Sequence, residues 1–417
     1  MEDAPRHAIV FGASGLIGWA VVDQLLRSYP KAGTFSKITA VTNRKVKFPE
    51  SHWPKPGADR PVLQLISGID LRHGDGTTLA NTLKEAVEDI HNVTHLFYLV
   101  FTSVPDEIEE VATNRGMLQN VIDAHNLLSP NLQFVVFPGG TRGYGIYSPG
   151  GVFSPPLTED MVNNLPPDYS KTVVYPANRE LLHAASEGRN WTWCEVCPDA
   201  IIGFTPNGSQ FSLALHWAQY LSLYAHNHGS GPSTQRTISP AAEVPFPGNV
   251  AGANSLFSPA SASKIARFMI YASLHHDTCG GGQLFNIADN EVPCTYGELW
   301  PRLASWFGLV GMGPPGGSEA QLNNLRAGEL PEDTRILTPG EYVAKYRDIF
   351  TQLGHANAVE GGVGAGSRQL DSVGFWLTFD RQLSLEKLRG TGFEENRDPI
   401  QSWIDSFQMF RKAGLIL

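Results

Sequence analysis

The chain has 417 residues, of which 42% are hydrophobic and 17% are charged. This composition is typical of a globular protein with a large core, and the length allows two to three domain-sized units. The net charge of −10 argues against nucleic acid and acidic membranes as partners, because both favour a basic face. We see no secretory leader and no apolar run that could cross a bilayer, so we expect a cytoplasmic enzyme with no membrane partner.

A glycine-rich turn near the start of the chain carries the strongest signal. The segment HAIVFGASGLIG, residues 7–18, runs from an apolar strand into three spaced glycines and then into a helical pattern. In this arrangement Gly12 allows the tight turn, Gly15 lets the backbone approach phosphates, and Gly18 lets helix and strand pack closely. The pattern predicts dinucleotide binding, with a bare structural turn as the alternative. The predicted contacts are those of Gly12, Ser14, Gly15, Leu16, Ile17 and Gly18.

The end of the second predicted strand, 38–42, indicates which dinucleotide binds. It continues into Asn43, Arg44 and Lys45 with no acidic residue. An acid here would favour NAD, whereas basic groups favour the 2′-phosphate of NADP. The sequence therefore predicts NADP, with a solvated pair of charges as the alternative.

Later strands add candidate cofactor contacts at their carboxyl ends, where ligands bind in parallel sheets. Asp70 and Leu71 follow the third predicted strand, and the Asp70 carboxylate is placed to accept from the adenine amino group. Phe101 and Thr102 follow the apolar run 93–100 and are expected beside the cofactor.

The order of elements predicts the fold class. Strands and helices alternate up to about residue 205, which indicates a doubly wound parallel sheet, the Rossmann fold. We assign residues 1–205 to an NADP-binding domain with a return contribution from about 257–290, and residues 206–256 and 291–417 to a mostly helical cap. Helices are predicted near 79–90, 107–128, 173–187, 211–225, 262–272, 299–307, 340–353 and 399–413, with loops at 229–256 and 311–317 and a glycine linker at 361–366.

The cysteines give no metal site. Cys194 and Cys197 have the spacing of a redox or zinc half-site, but they lie in the strand-like run WTWCEVCP, and no second pair follows at metal spacing. We interpret them as residues of a core strand and expect no bound metal.

Tyr175 and two arginines are the candidate catalytic groups. Arg179 lies four residues after Tyr175, so a helix would place both on one face. A nearby cation favours the phenolate, and such a phenol can stabilise an oxygen that gains charge when hydride arrives. Arg142, in the turn after the fifth strand, is the second candidate cation. The alternatives are a surface tyrosine and arginines bound to solvent or carbonyl groups.

Aromatic residues supply a candidate substrate pocket. Tyr144 and Tyr147 lie near Arg142, Phe204 follows the sixth strand, and Trp217 lies in the aromatic run 211–224. The alternative is a helix buried in the core, which a run of this kind forms more often than it lines a substrate pocket.

Together these residues resemble the atypical short-chain dehydrogenases of the progesterone 5β-reductase and iridoid synthase type. The resemblance covers nearly the whole chain and is specific in the order and spacing of its pieces, which include Gly12–Gly18, Thr42–Arg44, Ile69–Asp70, Val93–Tyr98, Asn114–Val121, Gly140–Tyr144, Pro198–Pro206, Leu284–Ile287, Leu299–Pro301 and Trp403–Asp405.

The resemblance implies an extended short-chain dehydrogenase fold, NADPH, and 1,4-reduction of an enone or enal. In that family a tyrosine and a lysine hold the carbonyl oxygen. Tyr175 matches the tyrosine, whereas Arg142 stands where the family has its lysine. The run around the tyrosine is altered to Val174–Glu180, which contains Arg179.

Three functions follow as hypotheses. The first is an NADPH-dependent reductase of a small apolar enone or other carbonyl compound in specialised metabolism. The second is a redox-neutral isomerase or cyclase, including pericyclic chemistry, on the same scaffold. The third is a non-catalytic NADP-binding regulator. The expected partner is a small apolar substrate, and a homodimer is possible.

Overall fold

The structure, a computed structural model, describes residues 6–229, 241–315, 337–362 and 367–417. The strands within these residues are β1 His7–Phe11, β2 Lys37–Thr42, β3 Val62–Ser67, β4 Val93–Tyr98, β5 Phe134–Pro138, β6 Thr192–Pro198, β7 Ile201–Ile202, β8 Glu243–Pro245, β9 Ala260–Ser261, β10 Gln283–Ile287 and β11 Val310–Met312.

Helices separate most of these strands. The α-helices up to the last strand of the main sheet are α1 Leu16–Leu26, α2 Gly76–Ala86, α3 Glu107–Leu128, α4 Pro167–Ser170, α5 Val174–Ser186, α6 Leu213–His228, α7 Val250–Asn254, α8 Ala262–Leu274 and α9 His276–Cys279. Those that follow are α10 Tyr296–Trp306, α11 Pro339–Tyr346, α12 Asp348–Gln352, α13 Ala356–Glu360, α14 Ser367–Asp371, α15 Val373–Trp376, α16 Glu386–Gly390 and α17 Pro399–Lys412.

Seven parallel strands form the main sheet in the order β10-β6-β5-β4-β1-β2-β3. The order reverses between β1 and β4, which is the point where a doubly wound sheet opens a crevice for a ligand. The predicted fold class is therefore confirmed.

Alternation along β1 explains why both faces of the sheet are covered. Ala8 and Val10 belong to a core that includes residues of α1 and α8, whereas Ile9 and Phe11 belong to a second core that includes residues of α2 and α3. Successive side chains of a strand point to opposite faces, so an apolar run of this kind suits a strand buried on both sides.

The cap is built around α6, which is buried along most of its length. The Trp217 ring stacks on Trp403 of α17, with centroids 5.3 Å apart, and meets Trp300 of α10 edge to face at 5.4 Å. Beside this aromatic cluster, β8 and β11 form a short parallel pair.

Several predicted boundaries differ from the structure. Helix α2 begins at Gly76, earlier than predicted, because Asp75 caps it by accepting a 2.8 Å hydrogen bond from the Thr78 N–H. The helix predicted near 340–353 is two helices, α11 and α12, and β11 occupies part of the loop predicted at 311–317. Residues 316–317 of that loop, residues 230–240 of the predicted excursion and residues 363–366 of the glycine linker lie outside the described residues.

Cys194 and Cys197 are buried in β6, as the strand interpretation predicts. In the described part of the chain, no helix combines the length and apolarity needed to cross a membrane.

Candidate functional site

The glycine turn between β1 and α1 has the close packing that a phosphate cradle needs. Gly12 has φ +78°, and a Cβ there would lie 2.4 Å from the Leu99 carbonyl oxygen. A Cβ at Gly18 would lie 2.1 Å from the Gly12 carbonyl oxygen. Gly15 is the N-cap of α1, whose first turn carries no acidic side chain. The positive end of the helix dipole is therefore uncompensated and suited to an anion.

The neighbouring residues contribute backbone rather than side chains. Leu16 and Ile17 are 7% and 8% exposed and belong to the core under α1. The Ser14 carbonyl accepts hydrogen bonds from Thr205 Oγ1 at 2.9 Å and from Asn207 Nδ2 at 3.3 Å. The segment after β7 therefore crosses directly over the glycine turn.

The predicted phosphate cations lie at the expected end of the sheet. Asn43, Arg44 and Lys45 are exposed after β2, whose Val41 carbonyl accepts from the Gly12 N–H at 3.1 Å. Arg44 Nη1 donates to the Asn207 carbonyl oxygen at 2.7 Å. Asn207, which the sequence analysis missed, thus joins the glycine turn to the cation.

Asp70 has a partner within the chain that the sequence analysis also missed. Its carboxylate accepts from the Arg72 backbone N–H at 3.0 Å and from Arg72 Nε at 2.9 Å, and His73 lies 3.3 Å away. Hydrogen bonding to Arg72 holds the pKa of Asp70 well below its usual range. The adjacent Leu71 is buried, and its carbonyl accepts from Asn120.

Asn114 of α3 holds the segment that follows β4 by hydrogen bonds. Asn114 Oδ1 accepts from the Thr102 N–H at 2.9 Å, and Asn114 Nδ2 donates to the Thr102 carbonyl at 2.8 Å. Phe101 is 37% exposed and meets Phe211, at the entry to α6, edge to face at 5.6 Å. An apolar pair thus spans from the sheet to the cap.

Tyr175 lies against the turn that carries Arg142. The turn after β5 continues into a 3₁₀ helix, Thr141–Tyr144. A Cβ at Gly140 would lie 2.7 Å from the Tyr175 hydroxyl, and one at Gly143 would lie 3.1 Å from its ring. The two glycines therefore allow the phenol to pack directly on the backbone of this turn.

Arg142 is firmly held. Its Nη1 donates to Glu110 Oε1 at 2.5 Å, and its Nη2 donates to the Thr172 carbonyl at 2.5 Å. Glu107 lies 3.7 Å from Nη2, and the guanidinium lies 5.2 Å from the centroid of the Tyr147 ring. Glu110 is 1% exposed, and its Oε2 also accepts from the Val104 N–H.

Arg179 pairs with a buried carboxylate on the sheet. Its Nη1 lies 3.5 Å from Glu195 Oε2, in the middle of β6. Burial raises the pKa of Glu195 to about 7, against the opposing charge of Arg179. The sequence analysis missed Glu195, although a single acid inside the apolar run WTWCEVCP was a signal for it.

Burial dominates the electrostatics of Tyr175. It raises the pKa of the phenol well above its usual value, and the Arg142 charge opposes that rise. The expectation that a cation would bring the phenol toward phenolate is thus wrong for the described residues, because the desolvation cost is larger than the effect of the cation. Tyr175 is a neutral hydrogen-bond donor near neutral pH.

Most of the predicted pocket residues lie in the core. Tyr144 and Trp217 are 1% exposed and Phe204 is 4% exposed. Tyr144 donates to Asn286 Oδ1 at 2.7 Å, and Phe204 packs on Trp19. The structure does not support their assignment as pocket walls, because they fill the space between the sheet and the cap.

Tyr147 is the exception. It is half-buried, and its hydroxyl accepts from Gln369 Nε2 at 2.6 Å. It packs with a small apolar cluster that includes Ile146, Phe375 and Trp376. This places aromatic surface from the cap beside Arg142.

Comparison with known proteins identifies the family of the chain. Residues 8–417 match the family model described as a PRISE-like Rossmann-fold domain. The chain is 30% identical to the "Short chain dehydrogenase sirQ" of Leptosphaeria maculans over 98% of this chain and 97% of that protein. It is 24% identical to the "3-oxo-Delta(4,5)-steroid 5-beta-reductase" of Arabidopsis thaliana over 98% of this chain and 95% of that protein.

A solved structure shares the fold at low identity. The GDP-mannoheptose C4 reductase MlghC from Campylobacter jejuni, with NADP bound, superposes with a TM-score of 0.54 at 13% identity. The match covers 99% of each chain. The chain therefore shares the overall fold of that protein, including the parallel main sheet and the helices around it.

Proposed function

The chain belongs to the PRISE-like Rossmann-fold family, an enzyme family of the short-chain dehydrogenases, and from that premise we propose that it is an NADPH-dependent reductase. The substrate class is a small, apolar enone or other carbonyl compound of specialised metabolism. The observation that carries the proposal is the packing of the Tyr175 hydroxyl on Gly140, in the turn that also presents Arg142.

The choice of cofactor rests on the fit of the glycine cradle and on charge. Gly12 and Gly18 pack so closely on backbone that a Cβ at either would clash with it, so both glycines are needed to form the turn that would hold a pyrophosphate. Arg44 and Lys45 are exposed at the end of β2, with no carboxylate in the run 43–45 to bind a free ribose hydroxyl. NADPH bound there would supply the hydride.

Tyr175 acts as the donor to the substrate oxygen. Its raised pKa keeps the phenol protonated, so that it donates a hydrogen bond to an oxygen that becomes negative. Arg142 supplies the charge that lysine supplies in related enzymes, because it is the cation that acts most strongly on Tyr175. Arg179 instead forms an ion pair with Glu195.

The substrate class follows from the side chains near this turn. Tyr147 and the cluster of Ile146, Phe375 and Trp376 are apolar or aromatic, and Phe101 with Phe211 adds exposed aromatic surface where the cap meets the sheet. Such surfaces favour an apolar substrate with few polar groups.

The proposal is tested by replacing Tyr175 with Phe. We expect turnover of NADPH with a panel of enones and ketones to fall by about 10²–10⁴-fold, while the Kd for NADPH stays unchanged. Tyr346→Phe, in α11, is the matched control and should retain full turnover. Turnover of Tyr175→Phe equal to that of the unmodified protein would contradict the proposal.

A redox-neutral isomerase or cyclase is the second candidate. The observation that favours it is the 2.5 Å ion pair between Arg142 and Glu110, which offsets the charge available to an oxyanion. Product formation without loss of NADPH absorbance in the near ultraviolet would establish this candidate, whereas one NADPH oxidised per product would exclude it. Binding of NADPH with no turnover of any substrate would point to the regulator.

A further inference from the structure

A second charged group, Glu195 of the interior strand β6, packs on the same turn as Tyr175. Glu195 is 1% exposed, and its register partner in β5 is Phe137, two residues before Gly139. A Cβ at Gly139 would lie 2.1 Å from Glu195 Oε1, while a Cβ at Gly140 would lie 2.7 Å from the Tyr175 hydroxyl. The carboxylate and the phenol therefore pack on consecutive glycines of one turn.

Arg179 completes this arrangement from α5. It lies one helical turn after Tyr175, which places both on the same side of the helix. Its Nη1 lies 3.5 Å from Glu195 Oε2, and neither atom has a hydrogen-bond partner among the described residues. The side chain is 19% exposed and borders a cavity of about 460 Å³ that Glu159 and Lys387 also line.

We propose that Glu195 is a positioning residue for the reductase reaction, which holds Arg179 against the sheet and sets the charge that Tyr175 experiences. This rests on the proposed function. Ionised Glu195 neutralises Arg179 and places a negative charge behind the phenol, which opposes a growing oxyanion. Protonated Glu195 leaves the Arg179 charge uncompensated, which favours the oxyanion.

The sign of the pH effect follows from the groups around Glu195. Arg179 and Tyr175 on α5, Cys194 and Cys197 on β6, and Tyr144 all interact electrostatically with Glu195. Glu159 and Lys387 line the cavity that Arg179 borders, and Arg142 acts on the shared neighbour Tyr175. Because burial raises the pKa of Glu195 to about 7, its carboxyl is protonated at pH 6 and ionised at pH 8.5. We expect kcat to be about tenfold lower at pH 8.5 than at pH 6.

The first test is Glu195→Gln, which keeps the shape and removes the titration. We expect its kcat to stay level between pH 6 and pH 8.5, at the value of the unmodified protein at pH 6. Glu180→Gln is the matched control, because Glu180 is exposed on the same helix, and it should keep the original pH profile. An unchanged profile in Glu195→Gln would overturn the inference.

A double variant separates positioning from stability. Apolar replacement of a buried ion pair is often neutral or stabilising, so Arg179→Met with Glu195→Met should melt near the temperature of the unmodified protein. We expect this variant to lose the pH dependence and to have a lower kcat at pH 6, with an unchanged Kd for NADPH. A melting temperature like that of the unmodified protein, together with the original pH profile of kcat, would overturn the positioning role. Absence of NADPH turnover in both the unmodified protein and Glu180→Gln would instead refute the proposed function.

Discussion

The ion pair between Glu110 and Arg142 can be tested directly, because removal of one partner of a largely buried pair has a measurable cost in stability. Their side chains are 2% and 11% exposed, and the Nη1–Oε1 distance is 2.5 Å. Glu110→Gln removes the charge closest to the Arg142 guanidinium, leaves Glu107 at 3.7 Å as its nearest described carboxylate, and weakens the acceptor for the Val104 N–H. Removal of one partner of a buried pair costs about 3–5 kcal/mol.

The expected shift in melting temperature follows from chain length. With about 2.1 cal/mol/K of unfolding entropy per residue, the 417-residue chain has close to 0.9 kcal/mol/K. A loss of about 3–5 kcal/mol then lowers the melting temperature by about 3–6 °C, which differential scanning calorimetry resolves. Glu109→Gln is the control, since Glu109 is exposed on the same helix turn and should cost less than about 1 kcal/mol.

The result that would refute this reasoning is an equal shift in the two variants. It would mean that Glu110 gains no more from Arg142 than a surface carboxylate gains from the helix dipole. A loss of turnover without a shift in melting temperature would also contradict the structural role, because the charge would then act on the reaction alone.

Three further predictions concern other parts of the chain. Gly18→Ala should weaken NADPH binding more than tenfold in a fluorescence titration, because its Cβ would meet the Gly12 carbonyl oxygen at 2.1 Å. Gly116→Ala, where a Cβ in α3 would meet no atom within 4 Å, is the control and should bind NADPH normally. Tyr144→Phe should cost about 1–3 kcal/mol of stability yet keep its KM, and a raised KM at unchanged melting temperature would return Tyr144 to the substrate pocket. Burial lowers the pKa of His125 from 6.5 to about 3, so on acidification the unfolded chain binds a proton that the folded chain does not. The free energy of unfolding should therefore fall as pH drops below 6.5, by about 2 kcal/mol at pH 5 from this group. In calorimetry, the stability of His125→Asn should decline less steeply with falling pH.

The sequence predicts the strand, turn and helix of the glycine motif well, because these elements depend on the backbone. The turn at Gly12 and Gly18 needs residues without a Cβ at fixed spacing, and the strand before it is buried on both faces. Helix α3 spans the predicted residues because its capping residue, Asp106, immediately precedes them.

The substrate side is less predictable, because the same aromatic residues serve cores and pockets. The run that contains Trp217 gives no indication that α17 covers it, since the partner lies far along the chain. Glu195 and Asn207 were missed for a similar reason: each acquires its role from a contact with a distant element, Arg179 on α5 or the glycine turn.

The stacking of Trp217 on Trp403 also bears on how the chain is made. Helix α6 leaves the ribosome long before α17, and Gln219 of α6 donates to the Leu415 carbonyl, 196 residues away. Until that late segment arrives, one face of the Trp217 ring has no partner from α17. The nascent chain therefore exposes apolar aromatic surface for much of its synthesis, which favours association with chaperones. The docking of α17 on α6 is accordingly a late folding event.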